Sequence, residues 1–305
     1  MDTLNLISKK PLTSIFAITC MIVCGLGTLQ VNAQSKETTK VNFQKDKYNR
    51  IFIPVKIDRD SLSLLFGTYS KTLRLTPYFM DTWSLYPTGQ VMTMKDYNGR
   101  RKERLVFSIP KVEIGNFKFR NEETVVNYAF PDTVVTGSTG TLMVYQYNWK
   151  IDNDKNEISI SKKPFEPVQP FSTINYKNDS APMVNVEIDG VKDDFALDFG
   201  SGVNFQVNTR TELGRKLIAD YNLEPVNTMT SNIHARKLTD TVYEVIIPSL
   251  LFNGKEMKDQ KVRLSSASPQ NVIGTGLLGN YNVILNNSKK RKIENAFILE
   301  KRLVD

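Results

Sequence analysis

The 305-residue chain has two cysteines and one histidine. Both cysteines, Cys20 and Cys24, lie within the first 33 residues. The segment beyond them therefore has neither thiols nor disulfides, and its stability must come from a packed core. Cysteine nucleophiles and thiolate metal sites are excluded there. A Ser-His-Asp triad would have to use His234, and no Gly-x-Ser-x-Gly elbow accompanies it. A histidine-based zinc site fails on the same count, so no metal and no cofactor is expected. Long apolar runs are also missing. The one from Ile15 to Leu26 is short for a bilayer span.

That run follows Lys9 and Lys10, and Val31-Asn32-Ala33 offers a small residue for cleavage before Gln34. Residues 1–33 read as a secretory signal peptide, which implies an exported protein, periplasmic or extracellular. An uncleaved anchor and a lipid-modified Cys24 are the competing readings, and no stable membrane span is expected after cleavage. The net charge of +8 falls to +7 without the signal, because Lys9 and Lys10 outweigh Asp2 by one. The surplus gathers in Lys289-Lys290-Arg291-Lys292 and Arg100-Arg101-Lys102. Neither run is interleaved with aromatics, so solvated hairpin turns are expected and nucleic acid is not.

With 40% hydrophobic and 10% aromatic residues, the remainder has enough apolar material for a sizeable core. Residues 34–46 are polar and read as a flexible lead-in. From Ile51 the text alternates: Ile51, Ile53, Val55 and Ile57 on one face, then Leu62, Leu64 and Phe66. Many short runs rich in Val, Ile, Phe, Tyr and Thr follow, broken by Gly, Asn and Asp. This predicts an all-β fold with a few short helices, placed at Ser70–Trp83 and Thr209–Tyr221. The Asp152-Asn153-Asp154-Lys155-Asn156 run lacks the Gly and the final Glu of a calcium loop and reads as a hairpin turn.

An internal repeat organises the alternation. Phe52–Asp58 aligns with Met183–Asp189 at an offset of 131, which also carries Ser70 onto Ser201. Phe107–Pro110 aligns with Val245–Pro248, and Gly140, Tyr147 and Asn148 align with Gly274, Tyr281 and Asn282 at an offset of 134. Two homologous lobes follow, 47–163 and 171–303, joined by a Pro-rich linker at 164–170.

One stretch stands out: Phe195-Ala196-Leu197-Asp198-Phe199-Gly200-Ser201-Gly202-Val203. An acid directly after an apolar run, in a Gly-rich turn, is held ionised by the backbone amides the glycines let approach. A turn acid between ordinary strands is the plain alternative. A kinase Asp-Phe-Gly lacks its Gly-rich and His-Arg-Asp loops here. The stretch resembles the two-lobed, retropepsin-like and pepsin-like aspartic proteases, whose strand-loop signature is an apolar run followed by Asp-Thr-Gly-Ser or Asp-Thr-Gly-Ala. Asp198, Gly200 and Ser201 match it; Phe199 departs from it. Val272-Ile273-Gly274 resembles the apolar-apolar-Gly strand that crosses beside the acid, and Ser138-Thr139-Gly140 is its weaker copy. The resemblance implies two β-barrel lobes, each contributing one acid to a pair that activates a water.

The first half breaks that pattern. Its aligned stretch is Phe66-Gly67-Thr68-Tyr69-Ser70, so Gly67 stands where the first acid is expected and Tyr69 where the turn calls for glycine. Asp198 is then a remnant, with Gly200, Ser201, Thr68 and Ser70 lining a cleft. Asn-Gly is the strongest hairpin signal, so Tyr97-Asn98-Gly99 is the candidate flap tip, with His234 in its counterpart. The expected function is a non-catalytic, monomeric pseudoprotease binding an extended peptide or protein partner. The alternative is an active aspartic-type endopeptidase, with Asp198 served by an unidentified second acid; a structural protein with a closed cleft comes third.

Overall fold

The computed structural model describes residues 37–77, 85–95, 101–126, 136–177, 181–233, 236–266, 268–287 and 295–303, without the side chains of 94, 95 and 229–239. The signal-peptide reading of 1–33, the flap tip at Tyr97, Asn98 and Gly99, His234 and the basic run 289–292 lie outside them.

Within 37–305 the strands arrange as the repeat predicts. The first lobe contains β3 (Ile51–Ile57), β4 (Asp60–Leu65), β5 (Leu73–Leu75), β6 (Tyr86–Lys95), β7 (Arg101–Ile114), β8 (Phe117–Val126) and β9 (Gly137–Ser138). The second contains β13 (Met183–Ile188), β14 (Val191–Leu197), β15 (Phe205–Val207), β16 (Asn227–Ile233), β17 (Arg236–Phe252), β18 (Lys255–Leu264) and β19 (Asn271–Ile273). Neighbours run β3-β4-β9-β5-β8-β7-β6 in the first and β13-β14-β19-β15-β18-β17-β16 in the second, the same order position by position. Pairing of β3 with β7, and of β13 with β17, closes each sheet into a six-stranded barrel. Closure removes the exposed edges that an open sheet of this length would carry.

The alternation in the text explains the faces. Ile51, Ile53, Val55 and Ile57 point into the first barrel while Pro54 and Lys56 point out; Val184, Val186 and Ile188 do the same in the second. Even the irregularities repeat. Asp58 and Asp189 turn the first hairpin of each lobe in the left-handed region, at φ of 53° and 48°. Pro110 and Pro248 drop out of the ladders, since proline offers no N–H. Opposite them, Asn121 and Asp259 take φ of 53° and 52°. Asn and Asp tolerate that region better than other side chains.

A third sheet joins the lobes. Its order is β1 (Thr38–Asn42), β11 (Glu157–Ser161), β10 (Asn148–Asp152), β20 (Tyr281–Asn286), β21 (Asn295–Lys301), β12 (Pro170–Tyr176). At its centre Trp149 pairs with Leu285, Lys150 with Ile284 and Ile151 with Val283. That register is symmetric about Lys150 and Ile284, 134 residues apart, as the sequence offset requires. Two six-stranded barrels in an all-β chain fit the two-lobed pepsin-like fold.

Two sequence expectations need correction. The 34–46 stretch is not a loose lead-in throughout: Thr38–Asn42 pairs along β11, and β2 (Gln44–Lys45) pairs with β3. Its β-branched residues suit a sheet edge with one wet face, and Phe43 anchors it in the core, 4% exposed. Within the linker, Asn286 brackets the Phe165 backbone at 2.9 and 2.8 Å. The first-lobe helix over Ser70–Trp83 fails at its start, where Leu73–Leu75 is a strand; 78–84 lie outside the described residues. The period there is two, with Leu73 and Leu75 buried. The second-lobe helix exists as α2 (Glu212–Asp220), capped by the Thr211 hydroxyl, which accepts from Gly214 N at 3.0 Å. The other two helices are single turns, α1 (Thr141–Val144) and α3 (Thr275–Leu278).

Candidate functional site

Each lobe brings the end of its second strand, a loop and a crossing glycine to one place. In the second lobe Asp198 follows β14, with its amide donating to Ile273 O on β19 at 2.9 Å. In the first, Phe66 and Gly67 follow β4. At both crossings a glycine is unavoidable: a Cβ on Gly140 would sit 2.3 Å from the Thr72 carbonyl carbon, and one on Gly274 2.3 Å from Ser201 O. The next residue seals each crossing identically, Thr141 N donating to Ser70 O and Thr275 N to Ser201 O, both at 2.7 Å. So Ser70 and Ser201 serve the crossing through their carbonyls, while the Ser70 hydroxyl turns to Thr72 O at 3.3 Å.

The two loops meet face to face. Thr68 N donates to Asp198 Oδ1 at 3.3 Å, and Gly200 N donates to the same oxygen at 2.8 Å. The Thr68 hydroxyl crosses between lobes, donating to Leu197 O at 2.7 Å and accepting from Phe199 N at 3.4 Å. No reciprocal hydroxyl exists, because Phe199 occupies that position. Its ring is buried between Phe66 and Phe297, with centroids at 5.6 and 6.0 Å. Phe66 in turn meets Trp149 at 5.3 Å, so one aromatic column runs through both lobes.

Gly67 lies directly opposite the acid. An ideal Cβ there would be 3.9 Å from Asp198 Oδ1 and 3.5 Å from Thr139 O. Thr139 clasps the Gly67 backbone: its hydroxyl accepts from Gly67 N at 2.9 Å and donates to Gly67 O at 3.1 Å. Asp58 and Asp60 occupy the β3–β4 turn, the six-residue length of β4 away, roughly 20 Å. They cannot share a proton with Asp198.

The reason expected for glycine at the turn does not hold. Neither Gly200 nor Tyr69 has a positive φ. What constrains the position is the acid two residues earlier, since a Cβ on Gly200 would stand 3.1 Å from Asp198 Oδ1. With no carboxylate at 67, a side chain at 69 has room. Glycine at 67 and a side chain at 69 are therefore compatible, as acid at 198 and glycine at 200 are.

Burial pushes the Asp198 carboxyl above its ordinary value, against the lowering effects of the Gly200 and Thr68 amides and the Arg74 guanidinium. The Tyr69 phenol is raised too, first by burial and then by the Asp198 charge; Arg74 and a hydrogen bond with Gln270 oppose this. Arg74 and Gln270 were missed by the sequence reading, because nothing in Leu73-Arg74-Leu75 or Pro269-Gln270 signals a site. Tyr48 was missed as well. Its carbonyl stands 2.4 Å from where a Gly202 Cβ would project, which places the 46–50 turn against the Asp198 loop. The clue was the second Gly of Gly-Ser-Gly.

The hairpins expected as flaps exist up to their tips, with Lys95 paired to Arg101 and Ile233 to Arg236. Met92 of the first contacts the Thr72 hydroxyl at 3.9 Å through its sulfur, which brings that hairpin to the Gly67 loop. Among the described residues no cluster of three or more His, Cys, Asp or Glu side chains gathers. No helix among them is long and apolar enough to cross a membrane. No protein-family model matches the chain, and no characterised protein matches it in sequence.

Proposed function

We propose that this is an exported, monomeric protein of aspartic-protease descent whose cleft binds an extended peptide or protein segment without cleaving it. The observation that carries the reading is Gly67, whose Cβ direction points at Asp198 Oδ1 from 3.9 Å. Peptide hydrolysis by two carboxylates needs one to take a proton from water while the other supplies a hydrogen bond to the scissile carbonyl. Asp198 alone can do one of these. The charge acting on it is the cation of Arg74 rather than a second acid. Loss of one member of such a pair ordinarily costs several orders of magnitude in rate.

The binding half of the reading rests on what is retained. The loops still meet, Thr68 still bridges them, and a hairpin still reaches the first loop through Met92. An extended chain laid in such a cleft is held by main-chain hydrogen bonds, which do not depend on the acid pair. The test is incubation of the chain from Gln34 onward with an unstructured protein substrate at acidic and neutral pH. No cleavage is expected, with or without a pepstatin-like inhibitor. Turnover that Asp198→Asn abolishes would overturn the reading in favour of an active endopeptidase.

A further inference from the structure

The surroundings of Asp198 include a positive charge, that of Arg74. Arg74 sits on β5 between Leu73 and Leu75, both buried in the first barrel. Its guanidinium therefore leaves on the opposite face, half-buried, within electrostatic reach of Asp198 and Tyr69. It does not close onto Asp198 as an ion pair, and Asp198 Oδ1 is already held by the Gly200 and Thr68 amides. Arg74 Nε is buried with no hydrogen-bond partner among the described residues. A buried donor without an acceptor is costly. The ladder gives the second-lobe equivalent: Arg74 pairs with Ser138 across β5–β9, and Gln206 with Val272 across β15–β19. Across the next ladder Gln206 stands beside Arg263 and Arg74 beside Val125, so each lobe keeps one arginine at this level, and in the first lobe it is the one on β5, next to the Gly67 loop.

A planar fork of five donors matches a carboxylate better than any other side chain does. We infer that the cleft takes a carboxylate of its peptide ligand, seated on the Arg74 guanidinium. Tyr69 lies on the same side, its phenol acted on by both Asp198 and Arg74. This deepens the peptide-binding reading and rests on it. The carboxylate belongs either to a free C-terminus or to an Asp or Glu side chain, and the two sources are separable.

The test uses the chain from Gln34 onward and an unstructured, Glu-containing peptide in three forms: free acid, C-terminal amide, and free acid with each Glu replaced by Gln. The free acid is expected to bind at least about tenfold tighter than the amide, and Arg74→Gln to bring it down to the amide's level. Loss on Glu replacement instead of on amidation, again dependent on Arg74, supports the same site with a side-chain source. Equal binding of all forms by wild type and Arg74→Gln overturns the inference while leaving a peptide cleft. If no peptide binds, the peptide reading fails, and the carboxylate site is decided separately by NMR of the Arg74 Nε–H signal. A shift with N-acetylglycine but not with N-acetylglycinamide supports it, and no shift with either overturns it. Arg74→Lys covers the case in which Arg74→Gln does not fold. It keeps the charge but loses the fork, and undiminished discrimination between acid and amide in that variant also counts against the inference.

Discussion

The Gly67 loop and the Asp198 loop occupy equivalent places in equivalent barrels, yet they are built on opposite plans. The Asp198 loop is arranged around an anion: two amides converge on one carboxylate oxygen, and Gly200 leaves that oxygen room. The Gly67 loop is arranged around an absence, with one Thr139 hydroxyl clasping both the N–H and the C=O of Gly67. Where the second loop holds glycine, the first holds Tyr69. The bridge between the lobes is equally one-sided, hydroxyl from Thr68 and aromatic ring from Phe199. The common features, the crossing glycines and the carbonyls of Ser70 and Ser201, are those the barrel needs. The divergent ones surround the acid: Gly67 against Asp198, Thr68 against Phe199 and Tyr69 against Gly200.

The largest effect should come from the bridge. Phe199→Ala removes a fully buried ring from a column that spans both lobes. The expected loss is about 3–5 kcal/mol of unfolding free energy. Thr68→Val removes the opposite half of the bridge and strands Leu197 O, for about 1–3 kcal/mol. Denaturant titration of both variants ranks them. If Thr68→Val costs more, the hydroxyl rather than the ring holds the lobes together.

The crossings sharpen the comparison from the other side, because there the loops agree. Gly140→Ala and Gly274→Ala each drive a Cβ to 2.3 Å from backbone. Each should cost about 1–3 kcal/mol or more, and by similar amounts. A large difference between them, read from the same titration, would mean that the two crossings are not equally tight.

Much of this was legible in the sequence. The offsets of 131 and 134 correspond to real register: Phe52 and Met183 hold equivalent ladder positions, as do Trp149 and Val283. Strand periodicity is a local signal, and a repeat reports the same fold twice. What escaped was either edge structure or side-chain convergence. Thr38–Asn42 reads as polar because a sheet edge with one wet face carries few apolar residues. Arg74 looks like any strand arginine until β5, the Asp198 loop and Tyr69 are brought together in space. The glycine rule failed for a physical reason: Gly200 is required by contact with its own carboxylate, a constraint invisible in a turn propensity.

Asp198 offers a smaller effect with a defined pH dependence. Its folded-state pKa is raised above the ordinary 3.8 by burial. Its contribution to stability is therefore fully present below about 3.8 and lost as pH rises through the raised value. Asp198→Asn keeps an acceptor for the Gly200 and Thr68 amides and removes the buried charge. It should stabilise the protein at pH 7 by about 0.5–2 kcal/mol. The gain should shrink as pH falls and vanish below the ordinary carboxylate range. A gain that instead grew toward low pH would mean that the amides and Arg74, not burial, dominate the carboxyl.

The smallest effect concerns Gly67 itself, and it bears most directly on how the two loops diverged. A Cβ at 67 meets nothing closer than Thr139 O at 3.5 Å, an ordinary contact, and the residue has no positive φ. Alanine there needs no rearrangement and restricts the unfolded chain, so Gly67→Ala should be neutral or stabilising by about 0.4–1 kcal/mol. Gly200→Ala at the equivalent of Tyr69 should be destabilising, because its Cβ lands 3.1 Å from Asp198 Oδ1. The same reasoning extends to function. Gly67→Asp alone would place a carboxylate two residues before Tyr69, recreating for Tyr69 the crowding that Gly200 avoids. Gly67→Asp with Tyr69→Gly should therefore outperform Gly67→Asp alone in cleavage of an unstructured substrate. Equal activity of the two, with Gly67→Ala strongly destabilising, would show that the first loop has no room at position 67 and that Tyr69 is not what crowds a carboxylate there.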